Sequence, residues 1–167
     1  GTAGYGLLCH GSAGNGQDRR RGEMIRRADT TELEAALALL EAVNLPLEGV
    51  AEHFGEFLLA LEDGRVAGCV GQERYGNVAL LRSLAVSPDA QRGGLGRALT
   101  TQLLAEARAA GVREIVLLTT TARDFFARHF GFIETERGQF DDAFTASPEW
   151  RLPRCSSAAC MSLRLDR

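Results

Sequence analysis

Three glycines, Gly93, Gly94 and Gly96, fall within four positions just ahead of an apolar helical pattern, and that spacing has a chemical use. Glycines at a helix start let backbone N–H groups come close to a pyrophosphate, and the helix dipole adds attraction for its charge. The bland reading of such a cluster is a plain glycine-rich turn. The loop lacks GxxxxGK followed by Ser or Thr, and no acidic ribose ligand follows at the dinucleotide-binding position, which disfavours the common nucleotide loops. His10, His53 and His129 form no ligand set with acidic residues at helical spacing, and Cys9, Cys69, Cys155 and Cys160 contain no CxxC pair, so no metal is expected. A soft metalloid at Cys155 and Cys160 is the alternative to ordinary thiols, and neither residue is given a role.

The elements that must hold this loop alternate between two periodicities, as in a mixed α/β domain. Residues 23–27 read as a strand. Thr31 and Glu34 form a capping-box pattern around Leu33, Leu37, Leu40 and Val43, which share one helical face until Pro46 stops the run. Residues 47–54 suggest a short second helix. Strands follow at 57–61, 66–75 and 78–86, joined by the turn signals Asp63-Gly64 and Gly76-Asn77, so a three-strand meander is expected. Leu95, Leu99, Leu103 and Leu104 mark a helix over 94–110 closed by Gly111, with the next strand at 114–119. A helix over 122–130 and strands over 132–136 and 159–165 complete the series. Residues 141–154, with Pro148, Trp150 and Pro153, read as a loop that shapes a pocket. Residues 1–22 are Gly-rich and carry Arg19-Arg20-Arg21; they read as an extension, held by a neighbouring subunit, to a domain spanning 23–167.

The apolar stretch Leu84-Ala85-Val86, then Pro88, then Gln91-Arg92-Gly93-Gly94-Leu95-Gly96 resembles the acetyl-CoA signature of GNAT acetyltransferases: Arg or Gln, two residues, Gly, one residue, then Gly or Ala. Phe126 ahead of Gly131-Phe132 is similar to a second landmark of that family. The resemblance implies the GNAT fold, a mixed and mostly antiparallel sheet flanked by helices, with acetyl-CoA in a cleft between splayed strands. It implies that Leu84, Ala85 and Val86 lie along the pantetheine arm like an added strand. It further implies that Gln91, Arg92, Gly93, Gly94, Leu95 and Gly96 present N–H groups to the pyrophosphate and that Phe126 belongs to the same site. Arg97 then sits near the phosphates, against the alternative of a solvated helix residue. Many members carry a Tyr four residues before the Gly-Phe pair to protonate the leaving thiolate; Ala127 stands at that spacing here, so that acid is absent.

Within the superfamily, Leu117-Leu118-Thr119-Thr120-Thr121-Ala122 followed by Asp124-Phe125-Phe126-Ala127-Arg128 resembles the N-acetyltransferases encoded in arsenic-resistance operons. It is similar, more distantly, to the catalytic domain of N-acetylglutamate synthase. Both comparisons imply a small amino-acid-like amine, and the first implies detoxification of glutamate-like toxic amino acids. Direct attack of a neutral amine on the thioester is implied, with the carbonyl oxygen met by a backbone N–H near Leu84. An ammonium must first lose a proton. Glu73 is the candidate base, against a solvated strand-end carboxylate, because Leu80 occupies the place of the synthases' Glu. Thr119 aligns with a hydroxyl that protonates the thiolate in the synthases, against a Thr bonded to its own backbone. Arg82 offers a planar fork for a substrate carboxylate, against surface pairing. The competing readings are an acyl-CoA-binding module without catalysis and an acetyltransferase for protein or peptide amines.

Composition narrows the classes further. At 167 residues, 45% hydrophobic and 25% charged, the chain suits one compact domain with a buried core. A net charge of -3 and a pI near 5.7 argue against nucleic acid as a partner. No apolar run approaches the roughly 20 residues that span a bilayer. The few, scattered cysteines fit a reducing cytoplasm. A homodimer through the C-terminal strand suits the expected fold.

Overall fold

The structure, a computed structural model, describes residues 24–165; the expected extension at 1–22 lies outside them. Seven strands form one sheet: β1 (Met24–Arg27), β2 (Leu58–Glu62), β3 (Arg65–Tyr75), β4 (Val78–Val86), β5 (Glu114–Thr119), β6 (Ile133–Glu134) and β7 (Ala159–Arg164). Their order across the sheet is β1-β2-β3-β4-β5-β7-β6. Every pairing is antiparallel except β4 with β5. The expected β2-β3-β4 meander is present, and Asp63 and Gly64 both take positive φ in its first turn, as a two-residue hairpin turn requires.

Alternation along the strands sends side chains to two covered faces. Leu58, Val70, Leu81 and Leu117 pack with Leu95, Leu99 and Leu103 of helix α3 (Leu95–Ala109) and with Phe126 of helix α4 (Arg123–Phe130). On the other face, Leu59 and Cys69 meet Ala36 and Leu40 of α1 (Leu33–Ala42) and Val50 of α2 (Val50–His53). The rest of that face, at Leu80 and Val116, is covered by Phe140, Phe144 and Trp150 from the segment 137–158, which contains three short 3-10 turns. Within it, residues 141–154 form a loop with short helical turns, as the sequence suggests.

Two expectations need correction. The cap of the first helical segment is Asp29 with Glu32, not Thr31 with Glu34: Glu32 Oε1 accepts from Asp29 N at 2.8 Å and Asp29 Oδ1 from Thr31 N at 3.0 Å. Two overlapping box patterns exist in the sequence, and the earlier one also ties Glu32 to Arg26 on β1. The strand expected at 132–136 shrinks to Ile133–Glu134, with Ile133 exposed at the sheet edge. The C-terminal strand β7 lies between β5 and β6, and β6 pairs with it only at Met161 and Ser162.

The feature that shapes the site is a bulge in β4. Cys69 pairs with Ala85 and Gly71 with Arg82, so Ser83 and Leu84 together face the single residue Val70. Ser83 absorbs the extra residue at φ +64. Before the bulge Leu81 points to the α3 face; after it Leu84 and Val86 do. Pairing between β4 and β5 ends at Leu80 with Val116, and the two strands then part.

Candidate active site

Where β4 and β5 part, a cavity of about 200 Å³ opens between residues 81–84 and 117–122. Asn44, Leu45 and Pro46 from the α1–α2 connection close one side, and Glu149, Cys155 and Ala158 another. Ser83, Thr119, Thr120 and Thr121 give it hydroxyls on a wall otherwise formed by Leu84, Leu117 and Phe126. Phe126 is buried and packs edge-on against Phe125 and Phe132, at 5.1 and 5.4 Å between centroids.

The glycine loop lies at the end of the same strand. Residues Pro88–Gly93 form a 3-10 turn, and Gly94, at φ +77 and ψ 17, is the N-cap of α3. A left-handed N-cap without a side chain leaves the first-turn amides open on that side, and these groups have no partner within the helix by construction. Gln91 turns its side chain inward, Nε2 donating to Val86 O at 3.1 Å, and so fastens the loop to the end of β4. Leu95 is buried as the first anchor of α3, while Arg97 is exposed. Burial, then the charges of Arg97 and Arg128, hold the His129 imidazole below its ordinary value. Beyond Leu80 the β5-facing edge of β4 has no sheet partner, and Leu84 and Val86 are only partly buried while Ala85 faces the α1 cluster. An open strand edge running into an amide-rich helix start fits an extended arm that ends in a pyrophosphate.

Of the residues read as doing chemistry, Thr119 lines the cavity. Its Oγ1 accepts from Ala122 N at 2.9 Å and so steadies the entry to α4, which leaves the hydroxyl proton available to the cavity. Ala127 is exposed on α4. Glu73 is not the solvated strand-end carboxylate of the alternative reading: it is fully buried. Arg82 Nη1 donates to its Oε2 at 2.7 Å and Tyr75 OH to its Oε1 at 2.6 Å, while His53 Nε2 lies 3.8 Å away. Burial first, and then Glu73, raise the Tyr75 phenol well above its ordinary value, so it stays a donor.

Arg82 lines the cavity yet is itself buried, which removes the surface-pairing alternative. Besides Glu73, its Nε meets Ser83 Oγ and Glu149 Oε1, each at 3.1 Å, and Nη2 reaches Pro46 O at 3.4 Å. The guanidinium thus joins β3, the α1–α2 connection and the segment 137–158. Glu149 was not singled out in the sequence; its only signal was its place beside Trp150 in a stretch read as shaping a pocket. That stretch is held firmly. Trp150 packs on Phe144 at 4.8 Å, its Nε1 donates to Asp141 Oδ1 at 2.9 Å, and Arg137 lies over its ring and donates to its carbonyl.

Cys69, Cys155 and Cys160 are buried and form no disulfide with one another. Desolvation pushes Cys69 up to about 12 and Cys160 up to about 11. Among the described residues no group of three or more His, Cys, Asp or Glu side chains is arranged to hold a metal ion, and no helix is long and apolar enough to cross a membrane.

The profile of the acetyltransferase (GNAT) family matches residues 24–132. An amino-acid acetyltransferase of Neisseria meningitidis is 32% identical over 105 residues, which are 59% of this chain and 24% of that protein, so the chain spans about a quarter of that relative's length. An uncharacterized N-acetyltransferase of Chlorobaculum tepidum is 35% identical over 128 residues, 68% of this chain and 81% of the other. N-acetylglutamate synthase from Neisseria gonorrhoeae, solved with coenzyme A and N-acetyl-glutamate, superposes with a TM-score of 0.75 at 26% identity, over 87% of this chain and 36% of that one. A Mycobacterium tuberculosis protein solved in complex with CoA superposes with a TM-score of 0.72 at 26% identity, over 85% of this chain and 99% of the other.

Proposed function

From the premise that this chain belongs to the GNAT family and is an acetyl-CoA-dependent acetyltransferase, we propose that it acetylates the amino group of a small amino acid or a close analogue, glutamate-like compounds foremost. The observation that carries this reading is the hydroxyl-bearing cavity beside the β4 bulge, which adjoins the end of β4 that leads into the glycine loop. A detoxifying role on toxic glutamate analogues is the finer form of the proposal and rests on the resemblance at residues 117–128 to arsenic-operon acetyltransferases. The free buried thiols suit a reducing, cytoplasmic setting.

Acetyl-CoA supplies an activated thioester. We assign its pantetheine arm to the open edge at Leu84, Ala85 and Val86. Its pyrophosphate goes to the backbone of Gln91, Arg92, Gly93, Gly94, Leu95 and Gly96, with Arg97 adding positive charge and Phe126 closing the acyl end. Gly94→Val should raise the Kd for acetyl-CoA about tenfold or more, because a β-branched residue at this positive φ is strained by about 1–3 kcal/mol. Isothermal titration calorimetry checks this, and an unchanged Kd removes the loop from the site.

Thr119 is the proposed hydrogen-bond donor to the leaving sulfur. Thr119→Val, which keeps the shape, should lower kcat about tenfold with little change in acetyl-CoA affinity. For Arg82, burial between Glu73 and Glu149 favours holding the enzyme's own carboxylates over gripping the substrate's. Glu73 stands behind Arg82, and its role is to orient that guanidinium.

Thiol release from acetyl-CoA with glutamate, phosphinothricin, spermidine and an aminoglycoside tests the proposal. Turnover confined to the amino acids supports it, and turnover confined to polyamine or aminoglycoside sinks the amino-acid reading. Acetyl-CoA binding with no turnover on any amine or peptide supports a non-catalytic module.

A further inference from the structure

The bulge in β4 leaves one peptide group, between Ser83 and Leu84, outside the ladder. Pairing with β3 resumes at Ala85, pairing with β5 has already ended at Leu80, and Leu84 has a ladder partner on neither strand. Both residues of this peptide line the cavity. Its carbonyl is nonetheless held: the thiol of Cys69 on β3 donates to Ser83 O at 3.3 Å, and Cys69 is fully buried in the cluster with Ala36 and Leu40 of α1. No peptide bond among the described residues is cis, and a trans peptide sets its C=O and N–H on opposite sides. Fastening Ser83 O to Cys69 therefore turns the Leu84 N–H away from β3. The gap between β4 and β5, with the cavity in it, lies on that other side. We propose that Cys69 is a positioning residue for acetyl transfer: its thiol grips the Ser83 carbonyl and so aims the N–H of the same peptide, that of Leu84, at the thioester carbonyl oxygen. The inference rests on the reading of this cleft as the acetyl-CoA site.

The peptide needs such support. Ser83 sits at φ +64, a conformation that a serine holds only where its surroundings impose it. Arg82 Nε donates to Ser83 Oγ at 3.1 Å, so the side chain is fixed as well as the carbonyl. Without the thiol, Ser83 O would lose the donor that holds it, and the peptide would rotate to seek another, carrying the Leu84 N–H with it. Desolvation keeps the proton on Cys69 well above neutral pH, so the thiol stays a donor throughout the working range. The step it serves is brief. As the amine nitrogen bonds to the acetyl carbon, negative charge gathers on the carbonyl oxygen; it returns to the carbon–oxygen bond when the C–S bond breaks and sulfur leaves with the electron pair. A donor aimed at that oxygen stabilises the charge as it develops, while binding at the pyrophosphate end is untouched.

The test compares wild type, Cys69→Ala, Cys69→Ser and Leu40→Val in thiol release, using the amine turned over fastest among glutamate, phosphinothricin, spermidine and an aminoglycoside. Alongside it, infrared difference spectra record the carbonyl band of bound acetyl-CoA, isotope-labelled at the thioester carbon. Cys69→Ala should lower kcat about five- to tenfold, while KM for the amine and Kd for acetyl-CoA stay within about twofold. The loss is smaller than for a deleted oxyanion donor, because a thiol hydrogen bond is weak and the N–H itself remains. The carbonyl band should lie at higher frequency than in wild type, since a misaimed donor polarises the bond less. Cys69→Ser, whose hydroxyl also donates, should recover most of both. Leu40→Val, which loosens the same cluster and leaves the thiol bond intact, should keep the wild-type kcat and band. Cys69→Val, which fills the site without a donor, serves the same comparison if alanine leaves too little folded protein. A wild-type kcat in the donor-less variant, a fallen kcat with an unmoved band, a Cys69→Ser no faster than Cys69→Ala, or an equal loss in Leu40→Val would each overturn the proposal. So would a wild type that binds acetyl-CoA with its carbonyl band unshifted or that acetylates none of the amines, and the acetyl-CoA reading of the cleft would survive either result. A wild type that does not bind acetyl-CoA overturns both.

Discussion

Arg82→Met is expected to cost about 3–5 kcal/mol in urea unfolding, because it leaves Glu73 and Glu149 buried without their shared cation. The side chain is fully buried and joins three segments, so its loss leaves the Glu73 carboxylate buried without its guanidinium. Removing an excess charge as well should return part of the loss: Glu73→Gln combined with Arg82→Met is expected to be more stable than Arg82→Met alone. The single variant should also lose activity, since Arg82 lines the cavity and ties together the segments that shape it. If Arg82→Met unfolds at the wild-type midpoint, the triad is not a structural element of the site. The double variant separates charge from packing, because it keeps the same missing guanidinium volume.

Gly71→Val is expected to destabilise the fold by about 3 kcal/mol or more through overpacking. A Cβ at this position would stand 2.2 Å from Phe57 Cε1 and 2.4 Å from two further ring atoms. Phe57 is fully buried in the α1 cluster and cannot swing aside. Gly71 also pairs with Arg82 beside the bulge, so relief by strand displacement would shift Arg82, which lines the cavity. Phe57→Leu in the same chain should restore part of the stability by making room. Equal midpoints for wild type and Gly71→Val would show that β3 can yield here, and would weaken the view that this glycine sets the approach of the α1 side to the strand.

Much of this fold was legible along the chain. The boundaries of β4 and β5 coincide with those read from the sequence, because turn signals flank them and their apolar runs suit a sheet covered on both faces. The leucine spacing of α3 and the glycine loop before it were equally plain, since both are local patterns. The cap of the first helix was not, because Asp29 with Glu32 and Thr31 with Glu34 fit the same rule, and the link from Glu32 to Arg26 on β1 lies outside any local window. The bulge at Ser83 has no signature either: a serine at φ +64 is an exception that the sheet imposes, and only pairing with β3 reveals it.

The same division runs through the site. The half we propose for acetyl-CoA is a strand, a turn and a helix start in one continuous stretch, so residue order alone laid out its parts. The half we propose for the acceptor joins residues from β4, β5, the α1–α2 connection and the segment 137–158, brought together by parting strands and by the cover over Leu80 and Val116. Sequence offered Glu73 and Arg82 as separate groups with open roles and passed over Glu149. Only the tertiary structure made them one buried charge system. The physical reason is that phosphate-binding loops act through backbone geometry encoded by neighbouring residues, whereas the charge state and reach of a carboxylate depend on burial and on partners far away in the chain.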